Sequence, residues 1–251
     1  MIRALWLYPA SIILTLYLAG RIVLGAILRR PGVPCMCREY PRRWARTLIR
    51  WAGARVQVEG LEKVDWDRPM VVVANHQSWF DVFALTANLP ANFRFVAKEE
   101  LSRIPVFGRA WTECGHVSVN RSDRSQAIAS LERAAGRIRD ESLAVIFFPE
   151  GTRSRDGRLR AFKKGAFVLA IQTGVPVIPV GISGSRAVMP KGSFRIRPGL
   201  IHIRVGDPIP TRELRHAQRH DLLDQARQAV AGLMEDPDAL ADHSSIRGEQ
   251  V

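Results

Sequence analysis

Two short segments of the chain hold the residue types that proton transfer on an anionic substrate requires. The first is Asn75-His76-Gln77-Ser78-Trp79-Phe80-Asp81, which follows the apolar run Met70–Ala74. A continuous apolar run of this length reads as a buried strand, and the residues after it read as the start of a helix. His76 falls on the connection, where a side chain can reach a ligand. Ser78 and Asp81 fit the [ST]-x-x-[DE] pattern of a helix start, so Asp81 has a plain structural reading as a first-turn acid. The same geometry supports a chemical reading. A carboxylate one turn into the helix points back to its N-terminus and can hold the proton on one imidazole nitrogen, leaving the other as a base.

The second segment is Phe148-Pro149-Glu150-Gly151-Thr152-Arg153-Ser154, which also follows a buried-type strand, Leu143–Phe148. Gly151 lets backbone approach a ligand closely. Thr152 and Ser154 offer hydroxyls, and Arg153 offers a planar fork suited to phosphate. The alternative is a polar surface loop, since Arg155, Arg158 and Arg160 follow. Lys98, after a third strand, either contacts an anionic substrate or is surface charge. Arg121, ending the run Gly115–Arg121, either binds phosphate or begins the next helix, and Lys163 and Lys164 carry the same ambiguity.

Other chemistries lack their signatures. There is no GxxxxGK[ST], no GxSxG, no GxGxxG opening a helix and no HExxH, and the six histidines show no metal spacing. No metal site is expected. The three cysteines, Cys35, Cys37 and Cys114, form no zinc-type pair and no even-numbered framework, which points to free thiols in a reducing compartment.

The elements that must position these residues alternate. After Ala54, strands are expected at Val56–Val58, Met70–Ala74, Phe93–Ala97, His116–Val119, Leu143–Phe148 and Val177–Ile182. Helices are expected at Trp79–Ala87, Ser122–Arg139, Lys164–Gln172 and Thr211–Met234, and Phe194–Arg197 with Ile201–Val205 reads as an antiparallel hairpin around Pro198-Gly199. This order predicts an α/β fold, a mixed and largely parallel sheet flanked by helices. Ligands on such sheets sit beyond the carboxyl ends of the strands, where both segments fall.

Ahead of that domain, residues 4–20 carry no charge, and Ile22–Leu28 is apolar again beyond Arg21. The stretch is near the length that spans a bilayer, and it also suits a helix lying in the interface. Arg29, Arg30, Arg38, Arg42, Arg43, Arg46, Arg50 and Arg55 follow, which places the rest of the chain on the cytoplasmic side of an inner membrane. Residues 40–54 set Trp44, Leu48 and Trp51 at helical spacing between arginines, which suits either an anionic bilayer surface or a helix packed on the core. The expected organisation is a membrane-associated helical segment at 1–54, an α/β domain at 55–235 and a polar tail at 236–251. The net charge of +13 implies a polyanionic partner. Nucleic acid is not expected, because no helix-turn-helix, zinc finger or RNP-like strand occurs.

Four ordered blocks carry a resemblance. Residues 75–81 give H-x4-D. Lys98 to Arg121, with Pro105, Phe107-Gly108 and Gly115–Arg121, gives the second, Phe148–Ser154 the third and Val175–Val180 the fourth. Over roughly residues 55–210 the chain resembles the glycerolipid acyltransferases, and among them the bacterial enzymes acting on 1-acyl-glycerol-3-phosphate. Asn120 stands where that family often has Asp, and it is given no role. The resemblance implies that His76 is the general base on an acceptor hydroxyl, oriented by Asp81, and that the hydroxyl attacks an acyl thioester without an acyl-enzyme. It implies that Arg121, Glu150, Gly151 and Arg153 bind the acceptor, the arginines on its phosphate, with Thr152 in the same block and Val177–Pro179 shaping the site. The expected partners are lysophosphatidic acid, acyl-CoA or acyl carrier protein as donor, and anionic membrane lipids. No cofactor is implied. Glycerol-3-phosphate or a lyso-aminolipid is the alternative acceptor.

Overall fold

The computed structural model describes residues 2–120 and 123–235. In chain order the elements are α1 (Ile2–Ile27), α2 (Val33–Ala52), β1 (Ala54–Glu59), β2 (Met70–Ala74), α3 (Trp79–Asn88), β3 (Phe93–Lys98), α4 (Phe107–Glu113), β4 (Val117–Val119), α5 (Arg124–Asp140), β5 (Ala144–Phe147), α6 (Gly165–Thr173), β6 (Val177–Ser183), α7 (Ser185–Val188), β7 (Gly199–Val205) and α8 (Arg219–Leu233). The polar tail expected beyond residue 235, together with Arg121 and Ser122, lies outside the described residues.

The strands form one seven-stranded sheet in the order β1-β7-β6-β2-β5-β3-β4. Every pairing is parallel except β6 with β7. The mixed, largely parallel sheet expected from the alternation of elements is therefore what forms. Side chains alternate across a strand, and β2 shows the consequence. Met70, Val72 and Ala74 join one core with Ala45 and Ile49 of α2 and Phe80, Ala84 and Leu85 of α3. Val71 and Val73 join the other with Phe167 and Ala170 of α6 and Leu222, Ala226 and Val230 of α8. Burial on both faces explains why β2, β5 and β6 read as unbroken apolar runs.

Four expectations are corrected. The hairpin at 194–205 does not form: residues 194–198 hold no strand, Arg197 N bonds Val188 O, and β7 pairs in parallel with β1 from the far end of the domain. The helix over 211–234 is confined to α8, because the buried Thr211 hydroxyl donates to the carbonyls of Ala170 and Val175 and holds that stretch in a turn. Cys37 and Cys114 form a disulfide joining α2 to α4, with Cα atoms 5.2 Å apart, so only Cys35 is a free thiol. A sequence separation of 77 residues gave no sign of that pairing.

The fourth correction concerns α2. Its stripe of Ala45, Leu48, Ile49 and Ala52 is buried in the domain, and Trp44 and Trp51 pack on the same core. Arg42 is buried and donates to Leu89 O (3.0 Å) and Ala91 O (2.8 Å), and Arg46 donates to Ala87 O. These guanidiniums satisfy carbonyls at the C-terminal end of α3, where a cation is favoured. The face of α2 that read as suited to a bilayer is thus largely turned inward. The outward apolar surface belongs to α1: Leu5, Trp6, Ile12, Ile13, Leu16, Tyr17, Leu24 and Ile27 are exposed, while Leu7, Ala19 and Ile22 are buried. Leu5–Ile27 is long and apolar enough to cross a bilayer.

Candidate active site

The two polar segments meet at the carboxyl ends of β2 and β5, which are adjacent and parallel. Ser78 caps α3: its hydroxyl accepts from Phe80 N at 3.1 Å and donates to Met189 O at 2.8 Å. Asp81, fully buried, turns back along the first turn. Its Oδ2 accepts from Gln77 N (2.6 Å), Ser78 N (2.8 Å) and the His76 Nδ1 (2.8 Å). The structural and chemical readings of Asp81 therefore hold together, because the carboxylate that starts the helix also holds the imidazole. A carboxylate only accepts, so the proton on the ring sits at Nδ1 and Nε2 is left as the basic nitrogen.

The ring itself is stacked on Phe148, with centroids 4.0 Å apart and 18° between planes. Phe148 in turn stacks on Phe95 at 6.3 Å, and Phe95 neighbours His116, which stacks on Trp111 at 4.1 Å. Burial, then the cations of Arg94 and Arg137, push the His116 imidazole down to about 3. It is held neutral, and Nδ1 accepts from Phe95 N. An aromatic row thus extends from the His76 ring toward α4.

The second segment is bound to the first through backbone. Ser154 N donates to His76 O at 2.7 Å, and His76 N donates to Glu150 Oε1 at 2.6 Å. Glu150, expected to bind the acceptor, is buried, and its other oxygen accepts from Arg160 N at 3.1 Å. Its carboxylate braces the two segments because backbone amides occupy both oxygens. Burial, with Asp81 nearby, raises it to about 7. Gly151 has φ +73°, where glycine is favoured, and a Cβ there would meet the Lys163 side chain at 3.0 Å.

The raised Glu150 carboxyl carries a stability prediction. Between its ordinary value of 4.5 and about 7, the folded chain holds a proton that the unfolded chain has released. That contribution is complete below the lower value and is lost as pH rises to the upper one. The stability difference between wild type and Glu150→Gln, from urea unfolding in mild detergent, should therefore shift against wild type by about 3 kcal/mol from pH 4 to pH 8. A difference independent of pH would contradict the assignment.

Arg153 lies with its guanidinium 5.0 Å from the Trp79 ring centroid, and the Asp81 charge attracts it. Trp79 is the first residue of α3, so this cation stands over the helix turn that holds the dyad. The remaining expected residues are placed differently. Thr152 is exposed, and its hydroxyl accepts from the Lys191 Nζ at 2.9 Å. Lys98 ends β3 on the same edge of the sheet but is exposed, 3.6 Å from Glu100. Arg121 lies outside the described residues. Val177–Pro179 are buried inside β6, away from the loop; the strand instead serves the site from its far end. There Asn75, fully buried, donates to Ile182 O (2.8 Å) and accepts from Ile182 N (2.7 Å), fixing the residue before the base. Asn75, Phe148, Trp79 and Lys191 were given no role from sequence. The first three stand inside the quoted blocks, where position alone could have flagged them.

Comparison with known proteins identifies the family and the fold. The family described as Acyltransferase matches residues 55–183. A 1-acyl-sn-glycerol-3-phosphate acyltransferase of Chlamydomonas reinhardtii is 35% identical over 240 residues, 92% of this chain and 69% of that one. A chloroplastic 1-acyl-sn-glycerol-3-phosphate acyltransferase of Arabidopsis thaliana is 38% identical over 195 residues, 76% of this chain but only 52% of the relative's length. Among solved structures, the 1-acyl-sn-glycerophosphate (LPA) acyltransferase PlsC from Thermotoga maritima superposes with a TM-score of 0.77 at 28% identity, covering 92% of this chain and 95% of that one.

Proposed function

The chain belongs to the acyltransferase family, and from that premise we propose that it moves a fatty acyl group from an acyl thioester to the sn-2 hydroxyl of 1-acyl-glycerol-3-phosphate, making phosphatidic acid. The observation that carries this reading is a base and a cation that both lie against one turn of helix. His76 is held by Asp81 at 2.8 Å, and Arg153 lies over Trp79 two residues before that aspartate.

The reaction needs a better nucleophile than a neutral hydroxyl. Nε2 of His76 takes the hydroxyl proton as the oxygen attacks the thioester carbonyl, a C–O bond forms, and the C–S bond breaks as the tetrahedral centre collapses. The thiolate then takes the proton back from the imidazole. General-base assistance of this kind contributes about 10²–10⁴-fold. No side chain is acylated, and the reading calls on no metal or other cofactor.

Arg153 binds the acceptor's phosphate. Arg153→Ala should raise the KM for lysophosphatidate about tenfold or more, as loss of a charge-assisted hydrogen bond implies, with kcat changed much less. The preference for lysophosphatidate over monoacylglycerol, which lacks the phosphate, should shrink by the same factor. An unchanged preference would remove Arg153 from that role. A panel of lysophosphatidate, glycerol-3-phosphate and a lyso-aminolipid tests the acceptor directly, with lysophosphatidate expected to be fastest.

Lysophosphatidate and its product stay in a bilayer, so the domain must work at one. The exposed apolar face of α1 supports membrane association, and the arginines that follow it support a catalytic domain on the cytoplasmic side of the inner membrane. Lys98, at the same sheet edge as the dyad, and Arg121 remain further candidates for the anionic head group.

A further inference from the structure

Acyl transfer brings two anions to one site. Arg153 meets the acceptor's phosphate, but the donor also carries phosphate: an acylated pantetheine arm ends in a phosphate ester whether its carrier is a nucleotide or a protein. A second group of cations lies beside the dyad loop. After α7 the chain turns at residues 190–193, where Ser193 N bonds Pro190 O, and this turn presents Lys191 to the 150–155 segment. The Lys191 ammonium donates to Thr152 Oγ1 at 2.9 Å and to Arg153 O at 2.8 Å. An ammonium has three N–H groups, so these two bonds fix its position and leave one donor for a ligand.

The surroundings of Lys191 are positive. Partial burial, then the charges of Arg155, Arg160 and Arg153, push its ammonium below the usual lysine range. Both acids of the loop are engaged elsewhere: Glu150 with two backbone amides, Asp156 with the Ser154 hydroxyl and Arg158 N. Among the described residues, none of Arg153, Arg155, Arg160, Arg186 and Lys191 lies within 4.0 Å of a carboxylate, whereas Arg68, Arg103, Arg137 and Arg204 do. The loop is also held in place. Gly157 N bonds the Ser154 hydroxyl, Gln77 Nε2 bonds Gly157 O, and Arg186 Nε bonds Arg155 O. Charges of one sign gathered on a held backbone favour an anion. The Lys191 ammonium bonds the Arg153 carbonyl, whereas the Arg153 guanidinium lies over the Trp79 ring, so the two cations make different contacts on the segment.

We propose that Lys191, with Arg155 and Arg160, forms a second anion subsite that binds the phosphate of the acyl donor's pantetheine arm, separate from the acceptor subsite at Arg153. The inference rests on the acyl-transfer reading and extends it to the other substrate. It places the donor's phosphate beside the 152–154 segment, which is joined to His76 through the Ser154 amide.

Two donors test it on the full-length, detergent-solubilised protein: palmitoyl-CoA, and S-palmitoyl-pantetheine, which has the same thioester and no phosphate. In Lys191→Met the ratio of kcat/KM for palmitoyl-CoA to that for palmitoyl-pantetheine should fall about tenfold, while the KM for lysophosphatidate changes by less than about twofold. Lys191→Arg should retain most of the preference. Equal losses with both donors would mean that Lys191 only braces the loop and would overturn the subsite. A rise in the lysophosphatidate KM instead would assign the phosphate to the acceptor and overturn it too. Arg155→Met is the second variant, since the contact Arg155 makes runs through its carbonyl, and it should lower the same ratio; no change there would count against the subsite even if Lys191→Met failed to fold. A wild type that makes phosphatidic acid with neither donor, nor with palmitoyl-acyl carrier protein, would overturn the acyl-transfer reading itself, whereas an active wild type with unchanged ratios in the variants overturns only the subsite.

Discussion

Replacing His76 with alanine should lower kcat for acyl transfer by about 10²–10⁴-fold and leave the protein folded. Among the described residues the ring makes one hydrogen bond and one stack, to Asp81 and Phe148, while the backbone of residue 76 is held independently by Glu150 and Ser154. Those two contacts, one to a carboxyl oxygen and one to a backbone carbonyl, survive the substitution, so the loop keeps its path. What disappears is the nitrogen that removes the hydroxyl proton. The KM for lysophosphatidate should move little, because Arg153 is untouched. Steady-state kinetics with far-UV circular dichroism as the folding control would check this, and a variant retaining wild-type kcat would remove His76 from the mechanism.

Asp81→Asn should lower kcat about 10²–10³-fold, somewhat less than loss of the base itself. The substitution is nearly isosteric. Oδ1 of Asp81 is buried and makes no hydrogen bond, so the new amide nitrogen can take that position while the amide oxygen faces the three donors at Oδ2. The helix start therefore persists, weakened by about 1 kcal/mol through loss of the charge at the N-terminus. The imidazole loses the anion that fixes its tautomer and offsets the charge it gains in the reaction. Asp81→Ala removes the acceptor altogether and should cost more in both stability and rate. Equal activity of wild type and Asp81→Asn would mean that the carboxylate serves only as a cap.

Several features of this site were legible because they are local. The dyad depends on six residues of chain across one helix start, and Ser78 and Asp81 announce that start by their spacing. The strands beneath it announce themselves as apolar runs because both faces of the sheet are covered. What the sequence did not show is which distant groups meet. Glu150 reads as a substrate ligand until its oxygens are found on the amides of His76 and Arg160. Arg42 reads as one of the arginines that mark the cytoplasmic side, but the fold buries it against the carbonyls at the end of α3. Cys37 meets Cys114, and β7 meets β1, across separations for which no local pattern exists. Lys191 belongs to the same class: nothing in Pro190-Lys191-Gly192 points to a loop 38 residues earlier.

These corrections share a physical cause. Periodicity reports which face of an element is apolar, but not which element covers it. The stripe on α2 suits a bilayer and a protein core equally, and the presence of α3 and β1 decides between them. The outer face of α1 has no such cover, and it is the surface most suited to lipid.

The most direct test of the central claim is transfer itself. Radiolabelled palmitoyl-CoA and 1-oleoyl-glycerol-3-phosphate would be mixed with wild type and with His76→Ala, following label in phosphatidic acid and on protein against released thiol. Wild type should form one phosphatidic acid per thiol released, with no label held by the protein, and the variant should do so at least about 10²-fold more slowly. Label accumulating covalently on the protein, or transfer by His76→Ala at the wild-type rate, would contradict a direct attack assisted by His76.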